Sequence, residues 1–183
     1  RFQLEYRIVR ANGDLLWVAE RGSGVFDDDG EPVALEGIIQ DVSNRKRIEQ
    51  ALFSTEQKYR SMFDNSTLGM FQTTESGTYL NANQALANLY GYASATELIS
   101  DLNNISTQLY VAESRRSEFT QAISTYGRVQ NFESEVYRHN GEAIWISENA
   151  HAVYDTLGNI LYYEGTVEDI TDRRNHEQQI HQL

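Results

Sequence analysis

Cysteine is absent from the 183-residue sequence. That excludes disulfides, thiolate metal sites, cysteine nucleophiles and thioether-linked chromophores together. Positive charge is scarce, with 15 Lys and Arg against 27 Asp and Glu and a net charge of −12. Phosphate backbones and anionic lipid both call for a basic surface, so neither nucleic acid nor a membrane is expected as a partner of this segment. No apolar run approaches the ~18 residues of a membrane span. The N-terminus Arg1-Phe2-Gln3-Leu4-Glu5 alternates like a strand and does not read as a signal peptide. The segment is therefore expected to be soluble and cytoplasmic, with membrane anchoring of a longer protein left open. Proline occurs once, while 40% of residues are hydrophobic and 11% aromatic, enough for a core and too much for wholesale disorder. The length suits one large domain or one and a half ordinary ones.

The sequence repeats itself. Glu5 to Arg45 lies on Glu133 to Arg173 without gaps, Gly13 falling on Gly141. Identical pairs include Arg10/Arg138, Asn12/Asn140, Trp17/Trp145, Glu20/Glu148, Asp27/Asp155, Gly37/Gly165, Asp41/Asp169 and Arg45/Arg173. One long unit repeated at this spacing means two copies of a domain, the first expected to lack its beginning. Each copy reads as a three-stranded antiparallel meander. Asn12-Gly13 and Asn140-Gly141 are strong hairpin signals, read as two-residue turns. Second turns follow at Asp27 to Gly30 and Asp155 to Gly158, then third strands over Val33 to Val42 and Ile160 to Ile170. Between the copies, Ile48, Leu52, Thr55, Tyr59 and Met62 step by 4, 3, 4 and 3, the seam of a short coiled coil. His176, Ile180 and Leu183 repeat that device at the end of the chain.

The second copy supplies the half that the first lacks. Leu68 to Thr74 and Thr78 to Leu80 read as strands around Glu75-Ser76-Gly77. Asn81 is expected to cap a helix carrying Ala82, Ala85, Leu86, Leu89 and Tyr90 on one face, with Gly91 as its stop. Ser94 and Glu97 have capping-box spacing. A longer helix is expected from about Val111 to Tyr126, with Phe119, Ala122, Ile123 and Tyr126 on one stripe.

That order of elements, with Arg138-His-Asn-Gly-Glu-Ala-Ile-Trp145, Tyr162-Tyr-Glu-Gly165 and Asp169-Ile-Thr-Asp-Arg-Arg174 before a heptad helix, resembles the PAS sensory family. The most specific element is the Asp-Ile-Thr-Asp-Arg exit, of which Asp41-Val-Ser-Asn-Arg45 is a weaker version. The resemblance implies an α+β fold: a five-stranded antiparallel sheet with helices on one face, a small-molecule pocket between them, and homodimerisation through flanking coiled-coil signalling helices. It divides the chain into 1–44, the end of a first PAS domain; 45–63, a helical connector; 64–172, a complete domain; and 173–183, the start of an exit helix. Such modules lie upstream of histidine kinases and nucleotide cyclases in bacterial two-component and related systems, and no such output domain occurs in this sequence. Covalent flavin and bilin chemistry is excluded with cysteine, and Ile146 and Val167 stand where flavin-binding members have Asn and Gln. Haem is disfavoured, since the long helix carries no histidine. No metal site is expected, and no other cofactor is named.

Several candidates follow. With Asn140-Gly141 as a two-residue turn, Glu133 faces Glu148 and Glu135 lies diagonal to it. Like charges so placed need solvent, a proton or a cation. The first copy repeats Glu5 and Glu20 but has Arg7 for Glu135. By resemblance, Ile146 and Glu148 face the pocket. Glu148, with Glu135 or Glu133 and Arg115 or Arg116, is expected to form a polar patch there, with Tyr163 and Val167 as further candidates; the alternative is a structural salt bridge or a solvated strand face. Trp17 and Trp145 are expected on the outer face, Trp145 together with Phe132 and Val136. The Asp27 to Glu31 run lacks the glutamate spacing of a calcium loop and reads as a turn. His176 lacks the context of a phospho-accepting histidine and reads as a polar seam residue. Asp169, Thr171, Asp172 and Arg173 are expected to relay a signal: the aspartate can accept hydrogen bonds or pair with an arginine, and Thr171 or Asp172 can cap the exit helix.

The expected function is a non-catalytic sensory and dimerisation module that passes a ligand or partner signal to an output domain in the same chain. A ligand-free interaction scaffold is one alternative. A small α+β enzyme using paired glutamates is another, disfavoured because no nucleophile, metal set or phosphate loop accompanies them.

Overall fold

The computed structural model describes residues 1–181 and divides into two compact units that meet at Arg60 and Ser61. In the first unit, β1 (Phe2–Val9), β2 (Leu15–Phe26) and β3 (Pro32–Asp41) form an antiparallel meander, after which α1 (Ser43–Asp64) begins. The second unit adds β4 (Gly69–Thr73), β5 (Tyr79–Ala82), the short helices α2 (Gln84–Tyr90), α3 (Ala95–Asp101) and α4 (Ile105–Gln108), then α5 (Ser114–Tyr126). It closes with β6 (Arg128–Tyr137), β7 (Ala143–Tyr154), β8 (Ile160–Asp169) and α6 (Thr171–His181). Its sheet has the order β5-β4-β8-β7-β6, all pairs antiparallel. Leu183, the last seam position expected from the sequence, lies outside the described residues.

The hairpins correct one expectation with large consequences. At Arg138 to Glu142 the chain does not make a two-residue turn. The Arg138 N–H donates to the Glu142 carbonyl and the Gly141 N–H to the Arg138 carbonyl, while Gly141 alone takes a positive φ of 84°. This is a type I turn followed by a glycine bulge, a three-residue loop. The extra residue slips the pairing by one, and a one-residue slip exchanges the faces of every side chain. Glu133 therefore pairs with Ser147, Glu148 with Phe132, and Glu135 with Trp145. Phe132, Val136, Ile146 and Glu148 share the inner face, whereas Glu133, Glu135 and Trp145 share the outer one. The first copy builds the same loop at Gly13, so that Glu5 pairs with Ala19 and Glu20 with Leu4.

Two smaller differences have local causes. β5 continues through Ala82, so Asn83, not Asn81, caps α2; its side chain accepts from the Leu86 N–H. In β6 a bulge between Val129 and Phe132 places Asn131 at φ 50°, with its N–H on Asn149 Oδ1. Gly165 admits the closest approach in the sheet: a Cβ there would stand 2.2 Å from the Asn149 carbonyl oxygen.

The core of the second unit lies between the inner sheet face and α2 to α5. Leu86, Tyr90, Leu98, Phe119, Ile123, Val136, Ile146 and Tyr163 are fully buried in it. Phe119 meets Phe132 and Tyr163 edge to face, the arrangement favoured by ring quadrupoles.

Candidate functional site

Two neighbourhoods carry the polar chemistry: the inner sheet face around Glu148, and the end of β8. On the inner face, Glu148 pairs across β7 and β8 with Val167, and Tyr163 lies further along β8 opposite Ala152. Ile146 and Val167 are buried beside it, Tyr163 is buried further along the sheet, and Glu148 itself is only 4% exposed. Its Oε2 accepts from the Tyr110 hydroxyl at 2.8 Å. Burial pushes its carboxyl up to about 7, against the opposing pull of the Tyr110 hydrogen bond and of Arg116 and Arg115. Burial likewise raises Tyr110, Tyr90 and Tyr79 above the usual phenol range. Among the described residues the buried Tyr163 hydroxyl has no hydrogen-bond partner.

The glutamates expected beside Glu148 are elsewhere. Glu135 is on the opposite face, next to Trp145, and its backbone carbonyl accepts from the Val111 N–H. Glu133 also faces outward, where its two carboxylate oxygens take Arg173 at 2.7 Å and Arg174. Arg115 reaches β6 through Ser134 Oγ at 3.3 Å and the Glu133 carbonyl at 2.6 Å, and its guanidinium lies 4.0 Å over the Phe132 ring. Arg116 is buried and donates to the Thr74 carbonyl at 2.9 Å. Arginine cannot shed its charge, so these two are fixed cations near the inner face.

The end of β8 is a compact knot. The Asp169 carboxylate accepts the Thr171 N–H at 2.9 Å and its hydroxyl at 2.6 Å, and pairs with Arg138 of the hairpin at 3.0 Å. The Thr171 hydroxyl in turn accepts the Trp145 N–H at 3.0 Å. Arg174 covers the Trp145 ring at 4.0 Å. The side chain that receives the first N–H of α6 is thus Asp169, while Thr171 ties the helix to β7. Asp172 stands in the first turn, where a negative charge suits the helix dipole.

The first unit builds the same knot one repeat earlier. Asp41 accepts the Ser43 N–H at 2.9 Å and lies 3.6 Å from Arg10, and Ser43 Oγ accepts the Trp17 N–H at 2.9 Å. Glu5 takes both Arg45 and Lys46 at 2.6 Å, with Lys46 over the Trp17 ring at 5.2 Å. The hydrogen bond from the Ser43 backbone holds the Asp41 carboxyl below its usual range, and Lys46 and then Arg45 do the same for Glu5. Sequence reasoning had Asp169, Thr171 and Arg173 but missed Glu133 and Glu5 as anchors for the helices. The signal was the repeat itself, in which the glutamate and the two basic residues recur together.

Comparison with known proteins agrees with this architecture. A family model described as PAS domain matches residues 67–172, and a second described as PAS fold matches residues 1–39. The chain belongs to the PAS family. A blue-light-activated histidine kinase of Brucella abortus is 36% identical over 102 residues, covering 55% of this chain and 18% of that protein. A probable diguanylate cyclase of Escherichia coli is 27% identical over 145 residues, covering 77% of this chain and 12% of that protein. Among solved structures, the PAS domain of a Colwellia psychrerythraea protein shares the fold with a TM-score of 0.56 at 21% identity, covering 64% of this chain and 98% of that one. The chain spans only about a fifth or less of the length of the curated relatives it matches. No helix among the described residues is long and apolar enough to cross a membrane.

Proposed function

We propose that this segment is the sensory and relay part of a longer signalling protein, in which the β8 to α6 junction passes the state of the second unit's sheet to an output domain of the histidine kinase or nucleotide cyclase class. The observation that carries the reading is the double knot. In both copies an aspartate caps the following helix and pairs with a hairpin arginine, a hydroxyl ties that helix to the tryptophan strand, and a glutamate grips its first basic residues. Building the junction twice with the same parts couples helix direction to strand position at both exits. Relatives named as a kinase and a cyclase support the class of output.

The same reading assigns dimerisation to α1, whose Ile48, Leu52, Tyr59 and Met62 are all exposed along one seam. The direct test is Asp169→Ala in the full-length protein, assayed for kinase or cyclase output. The reading expects output several-fold away from wild type in a folded protein. Unchanged output would refute it. The filling of the inner face by Tyr79, Tyr90, Tyr110, Phe119 and Tyr163 favours, as a second reading, a module that senses a partner or a very small ligand in place of a bulky cofactor.

A further inference from the structure

Glu148 is a buried carboxylate without a cation. It sits between two apolar neighbours, Phe132 on β6 and Val167 on β8. It accepts a hydrogen bond from Tyr110 at 2.8 Å, and among the described residues no Lys, Arg or His nitrogen lies within the 4.0 Å of an ion pair. A buried charge in this position is costly unless it is neutralised or paired. The groups that act on it come from four directions: Tyr110 from the segment after α4, Arg116 and Arg115 from α5, Tyr79 from β5 and Tyr90 from α2. Of these only the two arginines carry positive charge.

The arginines are not equivalent. Arg115 is engaged with Glu118, Ser134 and the Glu133 carbonyl. Arg116 is 7% exposed and holds the β4 to β5 turn through the Thr74 carbonyl, with Thr73 Oγ1 at 3.5 Å, while among the described residues its buried Nε–H has no hydrogen-bond partner. An idle buried donor is as unfavourable as an unpaired acceptor. A move of Arg116 towards Glu148 would give that donor a partner and, once the carboxyl ionises, neutralise the buried charge.

We propose that Glu148 and Arg116 form a proton-operated switch. With a proton on Glu148, Arg116 holds the Thr73–Thr74 turn, as in the structure. When the proton leaves to solvent, the carboxylate draws the guanidinium into a buried ion pair, Nε–H included, and the turn is released. The raised carboxyl of Glu148, near 7, sets the switch to work across neutral pH. A route to the exit is present in named contacts: Arg115, next to Arg116 on α5, binds the backbone of Glu133, and the Glu133 carboxylate holds Arg173 and Arg174 of α6. This goes beyond the relay reading, because the switch can exist whether or not α6 drives an output.

The test is a nuclear magnetic resonance titration of the 183-residue chain, with labelled glutamate carboxyl carbons and arginine Nε, from about pH 5 to about pH 9. The expected result is a Glu148 carboxyl that titrates near neutrality and an Arg116 Nε–H resonance that moves with the same midpoint and becomes better protected at high pH. Glu148→Gln should leave that resonance flat. A Glu148 that titrates in the ordinary carboxylate range, or an Arg116 signal that ignores its titration, overturns the proposal. Should the glutamine variant fail to fold, Tyr110→Phe serves instead. It removes the carboxylate's hydrogen bond and should move the shared midpoint upward; a midpoint unmoved, or no longer shared, overturns the proposal as well.

Discussion

The side chain of Asn83 is fully buried and directs both ends of its amide at backbone. Its oxygen accepts the Leu86 and Met70 N–H groups at 2.9 Å, and its nitrogen donates to the Phe63 and Leu68 carbonyls at 2.9 and 3.0 Å. One residue thus caps α2 and joins it to β4 and to the end of α1. Alanine would remove a cap and strand several buried backbone groups, so Asn83→Ala is predicted to cost about 3 kcal/mol, measured by guanidinium unfolding. Glu148 makes a second prediction at this scale. Its carboxyl stands near 7 in the folded chain against a reference of 4.5. The folded state therefore holds a proton that the unfolded state has lost, and the sign follows. The contribution to stability is complete below about pH 4.5 and declines as pH rises to and through 7, by on the order of 3 kcal/mol. The unfolding free energy of the second unit, followed by exchange of buried β7 amides, is predicted to fall over that window in wild type and to fall much less in Glu148→Gln. A wild type flat across the window would contradict the burial argument.

Among the elements, the turns show what can be read from sequence and what cannot. Gly13, Gly30, Gly141 and Gly158 mark hairpin loops because a left-handed residue is required there, and glycine adopts it without a Cβ clash. Asn-Gly announces the loop but not its length, since the same dipeptide serves a two-residue turn and the final positions of a three-residue one. That ambiguity is worth one residue of register, and it put Glu133 and Glu148 on a shared face that they do not share. The repeat was legible because thirteen identities recur at one offset between Glu5–Arg45 and Glu133–Arg173; the two three-stranded meanders followed from it, while the helix stripe at Phe119 and Ile123 was legible from its own spacing. Asn83 was not, because Asn81 and Asn83 both satisfy the local capping rule and only the length of β5 decides between them. At the exit, Thr171 joins α6 to β7 through its hydroxyl. Thr171→Val keeps the shape and loses those bonds. It is predicted to cost about 1 kcal/mol and to speed amide exchange at Trp145 and in the first turn of α6, with the rest of β7 unchanged.

The two units carry the same three-stranded meander in unequal states of cover. In the second unit the inner-face residues Val136, Tyr163 and Val167 lie under helices. Their counterparts in the first unit, Ile8, Leu35 and Ile39, are exposed, as are the seam residues of α1. Dimerisation through α1 predicts that sedimentation of the 183-residue chain will show a concentration-dependent dimer, and that Leu52→Glu will shift it to monomer without altering the melting of either unit. An unchanged sedimentation profile for that variant would remove α1 from the interface.

The central claim is that the knots at the ends of the sheets carry a signal and do not merely cap helices. The most direct measurement is the kinase or cyclase output proposed for the full-length protein, bearing Glu133→Gln together with Asp169→Ala, which opens the ionic grip of Glu133 on α6 and the Asp169 cap of α6 at once. The account predicts that the variant stays folded, as judged by the melting of the second unit, while its output no longer follows the conditions that regulate wild type. Full regulation in a folded double variant would contradict it.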